Sequence, residues 1–172
     1  MQIEIERKFL VKDLSIIHQS NDVIEVTQGY LIQAPDRTLR IRKHVPIKNP
    51  KDYLTPWGQI CFKANISDKS KYEYEFPCSI EHTQELLSLS ENLVYKTRYR
   101  IHYWTSNERD PIWDIDIFYG DNEGLAIAEI ELLSEDEVIE IPDWVGEEVT
   151  KDVRYLNSNL SLHPYNKWKH FK

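Results

Sequence analysis

The chain has 172 residues, 41% of them hydrophobic, and a formal net charge of -8. That length suits a single domain over 1–172 with a core of its own. The negative charge argues against a nucleic-acid partner, which needs a basic field, and no apolar run reaches the ~18–20 residues of a membrane-spanning helix.

Other classes fall away on motifs. The two cysteines, Cys61 and Cys78, lack metal-knuckle spacing and fit a reducing, cytoplasmic setting. The N-terminus carries charges where a secretory signal needs an apolar stretch. The six histidines form no HExxH pair, and neither GxxxxGK nor GxGxxG occurs.

In chain order, period-2 alternation predicts strands over 2–11, 25–33, 37–44, 58–65, 71–77, 95–104, 112–119 and 125–133. A helix is expected from Ile80 to about Ser90 behind a Ser79 cap, and another over 151–160 behind Thr150. The segment 43–57 holds three prolines and no period, and reads as a long loop.

The strand faces carry the chemistry. In the first strand Glu4, Glu6 and Lys8 oppose Ile3, Ile5 and Phe9. Arg40 and Arg42 share a face in the third. Lys63 opposes Ile60 and Phe62, and Lys71, Glu73 and Glu75 oppose Tyr72, Tyr74 and Phe76. Lys96, Arg98 and Arg100 alternate with Tyr95, Tyr99 and Ile101. Asp114 and Asp116 oppose Trp113 and Ile115, and Glu129 and Glu131 oppose Ala128 and Ile130.

Any one such face is ordinary solvated strand surface. So many together are not, because like charges two residues apart repel and a surface normally mixes signs. The fold expected is mainly β (α+β): an eight-stranded antiparallel barrel closed around a charged tunnel, with a few flanking helices. The charged faces line the lumen and the apolar faces point outward.

A closed lumen tolerates such charge only if it is paired or ligated. Its bases, Lys8, Arg40, Arg42, Lys63, Lys96 and Arg98, suit phosphate oxygens. Its acids, Glu4, Glu6, Glu73, Glu75, Asp114, Asp116, Glu129 and Glu131, are hard oxygen donors for Mg²⁺ or Mn²⁺. The acids outnumber the bases, and two divalent ions reverse that balance in favour of a triphosphate.

The motifs EIERKFLV (4–11), QGYL (28–31), RTLRIR (37–42), YEYEF (72–76), KTRY (96–99), WDIDIF (113–118), GLAIAEIEL (124–132) and PDWVGEEVTKDVRY (142–155) resemble the CYTH superfamily, the triphosphate tunnel metalloenzymes. The ordered set is far more specific than ExExK alone. The resemblance implies a tunnel fold and Mg²⁺- or Mn²⁺-dependent hydrolysis of a small-molecule triphosphate, with inorganic triphosphate favoured. Thiamine or nucleoside triphosphates, with Trp57 as an aromatic cradle, are the alternative. An adenylate cyclase of class IV type and a non-catalytic polyphosphate or nucleotide sensor are further ones.

The resemblance also implies that the six bases bind triphosphate and that the acids bind metal, Glu73, Glu75 and Asp114 in support. The QGY resemblance places Tyr30 close to substrate, as a candidate catalytic residue against the alternative of a packed aromatic with a satisfied hydroxyl. Lys8 or Lys96, each beside other cations that lower a lysine pKa, is a candidate base competing with metal-activated water. The tail is expected to close one tunnel end, with Asp152 or Arg154 pairing to the wall. A homodimer is the assembly that the resemblance suggests.

Overall fold

The computed structural model describes residues 2–51, 53–67, 70–103 and 110–168. The alternating segments become β1 (Gln2–Val11), β2 (Asp22–Gln33), β3 (Arg37–Lys48), β4 (Trp57–Asn65), β5 (Ser70–Cys78), β6 (Val94–His102), β7 (Ile112–Tyr119) and β8 (Ala126–Glu131). All pairings are antiparallel, in the order β5-β4-β3-β2-β6-β7-β8-β1, and β1 also pairs with β5 to close the barrel. Closure leaves the eight-strand sheet without a free lateral edge.

A ninth strand, β9 (Val145–Glu148), is absent from the expected set. It pairs with Phe9 and Val11, where β1 has run past β5. Four residues give too short a period to read in sequence. On this outer side Arg7 donates to both carboxylate oxygens of Glu148, at 3.0 and 2.7 Å. Arg7, alone among the charges of ERK, therefore lies outside the lumen.

The expected loop 43–57 needs correction, because β3 continues through Pro46 to Lys48. Proline supplies no ladder donor, but β4 begins only opposite His44, so one side of β3 is free beyond that point. Pro46 still pairs with Ile24 of β2. The predicted strand 95–104 reaches Trp104, which lies outside the described residues.

Among the described residues two α-helices flank the barrel. The first, α1 (Ile80–Ser88), starts where the Ser79 hydroxyl accepts from the His82 amide at 3.2 Å. The tail is less helical than expected: a 3-10 turn over Val153–Tyr155 precedes the short α2 (Asn157–Leu162). Asp152 and Arg154 pair with each other at 2.5 Å instead of with the wall.

The outward faces of β1 and β6–β8 bury Phe9, Ile101, Trp113, Ile115 and Ile130 under Ile16 and the 144–145 segment. A second cluster forms where the lumen-facing parity turns apolar. Val94, Phe118 and Ile127 meet Leu125 and, from α2, the fully buried Leu160. Gln33 fastens this plug by donating to the Ser158 carbonyl and the Ser161 hydroxyl, each at 2.8 Å. The expected closure of one barrel end by the tail is thus achieved with leucine.

Gly29 and Gly58 let α1 and the segment after it approach the wall. A Cβ at Gly29 would sit 2.6 Å from the Ser90 Cβ, and one at Gly58 2.8 Å from both the Cys78 carbonyl and the Thr83 Cβ. Gly29→Ala and Gly58→Ala are each expected to cost about 1–3 kcal/mol by overpacking, lowering the melting temperature by roughly 2–10 °C. Thermal unfolding followed by circular dichroism checks this; unchanged midpoints would show that α1 does not press on the barrel.

Candidate functional site

Antiparallel register decides which charges meet in the lumen. Lys8 lies opposite Glu129, Lys63 opposite Glu73, Glu4 opposite Lys71, and Arg98 and Arg100 opposite Asp116 and Asp114. The like-charge pairs are equally informative: Glu6 faces Glu131, and Asp114 faces Glu129. Like charges directly opposite are destabilising on their own.

The charges therefore segregate around the barrel. Strands β7, β8 and β1 form an acidic wall. Strands β3 and β6 bring Arg40, Arg42, Arg98 and Arg100 to the other side, flanking β2, whose inward residues Ile24, Val26, Gln28 and Tyr30 are uncharged. Between the walls is a cavity of about 1040 Å³. Its lining includes the predicted residues Glu4, Glu6, Lys8, Tyr30, Arg40, Arg42, Lys63, Glu73, Glu75, Arg98, Asp114, Glu129 and Glu131.

Two predicted residues do not reach it. Lys96 and Asp116 pair with each other and are fully buried beneath the lining. Burial, aided by Arg98, pushes the Lys96 ammonium down to about 7, against the pull of Asp116. Asp116 nevertheless stays ionised below the usual carboxylate range: burial opposes this, but Arg98 and Lys96 outweigh it.

The remaining acids are held by bases. Glu6 accepts from Lys8 and Lys71, each at 2.8 Å, and Glu4 from Lys63 at 2.5 Å. Glu129 bridges Lys8 at 2.5 Å and Arg98 at 2.7 Å. Burial alone would raise Glu6 and Glu129, yet the cations, Lys8 foremost, hold both well below the carboxylate range. Lys8 in turn is raised: burial opposes its charge, but Glu129 and Glu6 prevail. Glu131 moves upward, first through burial and then through Glu4, Asp114 and Glu73.

Arg42 is the exception among the lumen bases. Among the described residues it makes no ion pair; its Nε and Nη2 donate to the Gln28 Oε1 at 3.3 and 3.1 Å. Burial, with Arg40 and Arg98 beside it, pushes it down to about 10. Arg40 is held weakly, at 3.4 Å from Glu75 and 3.7 Å from Glu73, and its buried Nε has no hydrogen-bond partner among the described residues. This corner of the cavity is short of negative charge.

The acidic wall offers carboxylate oxygens, and two of its cross-strand contacts are acid against acid. That donor set fits a hard divalent cation. The tightest group of ligand atoms among the described residues lies elsewhere: Cys61, Glu73 and Glu75, within 4.8 Å of one another. Its thiol is pushed up to about 12 by burial, and it donates to Glu73 at 3.1 Å.

Two further residues at the site carried no chemical signal in the sequence, Gln28 and His44. Gln28 is neutral and buried behind the lining. Lys71, read in the sequence on the charged face with Glu73 and Glu75, lines the cavity and reaches Glu6. His44 stacks on Trp57 at the cavity edge, with ring centroids 4.6 Å apart and planes within 5°, and burial, then Arg42, pushes its imidazole down to about 2.

The arrangement has counterparts among known proteins. The CYTH domain model matches residues 2–163. The chain is 37% identical over 168 residues to an inorganic triphosphatase of Acetivibrio thermocellus, covering 96% of this chain and 97% of the relative. It is 32% identical to an inorganic triphosphatase of Nitrosomonas europaea, covering 92% and 97%. A crystal structure of an inorganic triphosphatase aligns with a TM-score of 0.59 at 30% identity, covering 94% of this chain and 96% of that one.

Arg98 ties Asp114, Asp116 and Glu129 together at 2.7 Å each. Arg98→Ala removes the cation shared by those carboxylates, leaving one other base to each (Lys96 to Asp116, Lys8 to Glu129, Arg100 to Asp114), and should cost about 3 kcal/mol in chemical denaturation. Arg7→Ala, on the half-exposed Glu148, should cost no more than about 1 kcal/mol. Equal losses would contradict the burial difference between the two pairs.

Proposed function

The chain belongs to the CYTH domain family, and we propose that it is a metal-dependent triphosphatase cleaving inorganic triphosphate to diphosphate and phosphate. The observation that carries this reading is Arg42. Among the described residues this buried arginine makes no ion pair, and, flanked by Arg40 and Arg98 on a cavity wall, it is suited to an anion from outside them.

Arg40, Arg42, Lys63 and Arg98 would hold the phosphate chain, their fixed donors stabilising charge on its equatorial oxygens. Glu4, Glu6, Asp114, Glu129 and Glu131 would hold two Mg²⁺ or Mn²⁺ ions, with Glu73 and Glu75 nearby. When bound, the ions supply Lewis acidity toward phosphate oxygens and toward water. Lys8, kept cationic by Glu6 and Glu129, acts in binding. Lys96 has the more basic-catalyst-like value, but it lies sealed behind Arg98 and serves to neutralise Asp116. The apolar plug around Leu160 keeps water from one end.

One observation favours a second substrate class. The Trp57–His44 stack at the cavity edge could cradle the aromatic part of a nucleoside or thiamine triphosphate. Two free cysteines support a reducing, cytoplasmic setting. Among the described residues no helix is long and apolar enough to cross a membrane.

Phosphate release from inorganic triphosphate, ATP, thiamine triphosphate and long-chain polyphosphate, with Mg²⁺ or Mn²⁺, tests the reading. Inorganic triphosphate should turn over fastest, and chelation by EDTA should abolish turnover. Arg42→Ala should lower turnover ~10²–10³-fold without rescue by metal, whereas Glu129→Gln should recover partly in excess Mn²⁺. No metal-dependent release from any of the four would overturn it.

A further inference from the structure

Gln28 sits in the uncharged stretch Ile24–Tyr30 of the inward face of β2, fully buried between the two arginine-bearing strands. Its side chain makes two kinds of contact. The amide oxygen accepts from Arg42 Nε and Nη2, and the amide nitrogen donates to the Tyr30 hydroxyl at 3.0 Å. This orientation is fixed by chemistry, because a guanidinium has only donors. Turning the amide around would set its NH₂ against Arg42 and leave that arginine without an acceptor.

The consequence passes to Tyr30. Its oxygen is occupied as an acceptor, so its own proton points away from Gln28. The charged groups acting on it are Arg40, Arg42, Lys63 and Lys8, all donors, and among the described residues no acceptor takes the Tyr30 proton. Tyr30 lines the cavity. Burial raises its pKa despite those cations, so the proton is retained at neutral pH.

We propose that Gln28 is a positioning residue that both braces Arg42 and orients the Tyr30 hydroxyl, so that Tyr30 donates a hydrogen bond to an oxygen of the bound triphosphate. The proposal rests on the triphosphate reading of the cavity and adds a neutral donor to its cations. It also accounts for glutamine rather than glutamate at position 28. A carboxylate would pair with Arg42 equally well, but it would accept from Tyr30 and draw the proton out of the cavity.

The test is a double-mutant cycle read by calorimetric affinity for imidotriphosphate with Mg²⁺, which does not depend on turnover. Tyr30→Phe in the otherwise native chain should weaken binding about tenfold, the scale of one hydrogen bond to a charged acceptor. In a Gln28→Glu background the same change should alter affinity less than about twofold. Equal losses in both backgrounds, or none in the native one, would overturn the proposal.

Raman difference spectra of native protein against Tyr30→Phe need no change at position 28, and so cover the case in which Gln28→Glu fails to fold. The tyrosine doublet assigned to Tyr30 should report an acceptor before the analogue is added and a donor–acceptor after it; an unchanged doublet would count against the proposal. Native protein that binds the analogue but releases no phosphate would sink the triphosphatase reading and leave this one standing.

Discussion

Charge compensation inside a closed barrel is the constraint on which the rest of the structure depends. A lumen lined by charged side chains cannot rely on bulk water, so each carboxylate and each cation needs a partner within reach. Neighbouring strands supply them. Because like charges recur at every second residue within a strand, one antiparallel register pairs a whole face at once. Arg98 and Arg100 meet Asp116 and Asp114 in a single alignment of β6 and β7. A slip of β7 by one residue would turn Asp114 and Asp116 outward and bury Trp113 and Ile115 in the charged lumen.

That pairing is deliberately incomplete in its geometry. On the acidic side the register sets Glu6 against Glu131 and Asp114 against Glu129, and the repulsion is relieved by Lys8, Lys71 and Arg98 reaching across. On the cationic side the uncharged inward residues Ile24 to Tyr30 of β2 separate the arginines of β3 and β6. The acid of this strand that shares their parity, Asp22, lies opposite Arg100 and pairs with it at 3.6 Å, so Arg42 is left with an amide oxygen. The two walls therefore have opposite deficits, one of cations and one of anions.

Much of this was legible in the sequence because charge alternation has period 2 and is a loud signal. The eight barrel strands, their inward faces and most of the lining residues follow from it, and the resemblance to the CYTH family sharpened the ligand roles. The silent parts are silent for physical reasons. Gln28 and Tyr30 face the lumen without charge, so parity alone gives them no chemical meaning. Val94, Phe118 and Ile127 share the inward parity, yet they plug the barrel, which only the position of Leu160 reveals. Lys96 and Asp116 have the right parity but sit below the cavity, a matter of depth that alternation does not encode. Pro46 reads as loop, and it is tolerated in β3 only because β4 starts later.

The same electrostatics constrains how a ligand enters. Within the chain itself the lumen largely neutralises its own charges: Lys63 is engaged by Glu4 and Glu73, and Arg98 by three carboxylates. An anion arriving alone would free those carboxylates and strand them against one another; a divalent cation arriving alone would do the same to the arginines and lysines. Joint entry avoids both costs, because the cation takes the acids as the phosphate chain takes the bases. Arg42 and the Nε of Arg40 stand outside this internal exchange, since neither gives up a carboxylate to meet a ligand. On the triphosphatase reading they are the natural first contact, and the remaining bases follow as their carboxylates turn to metal.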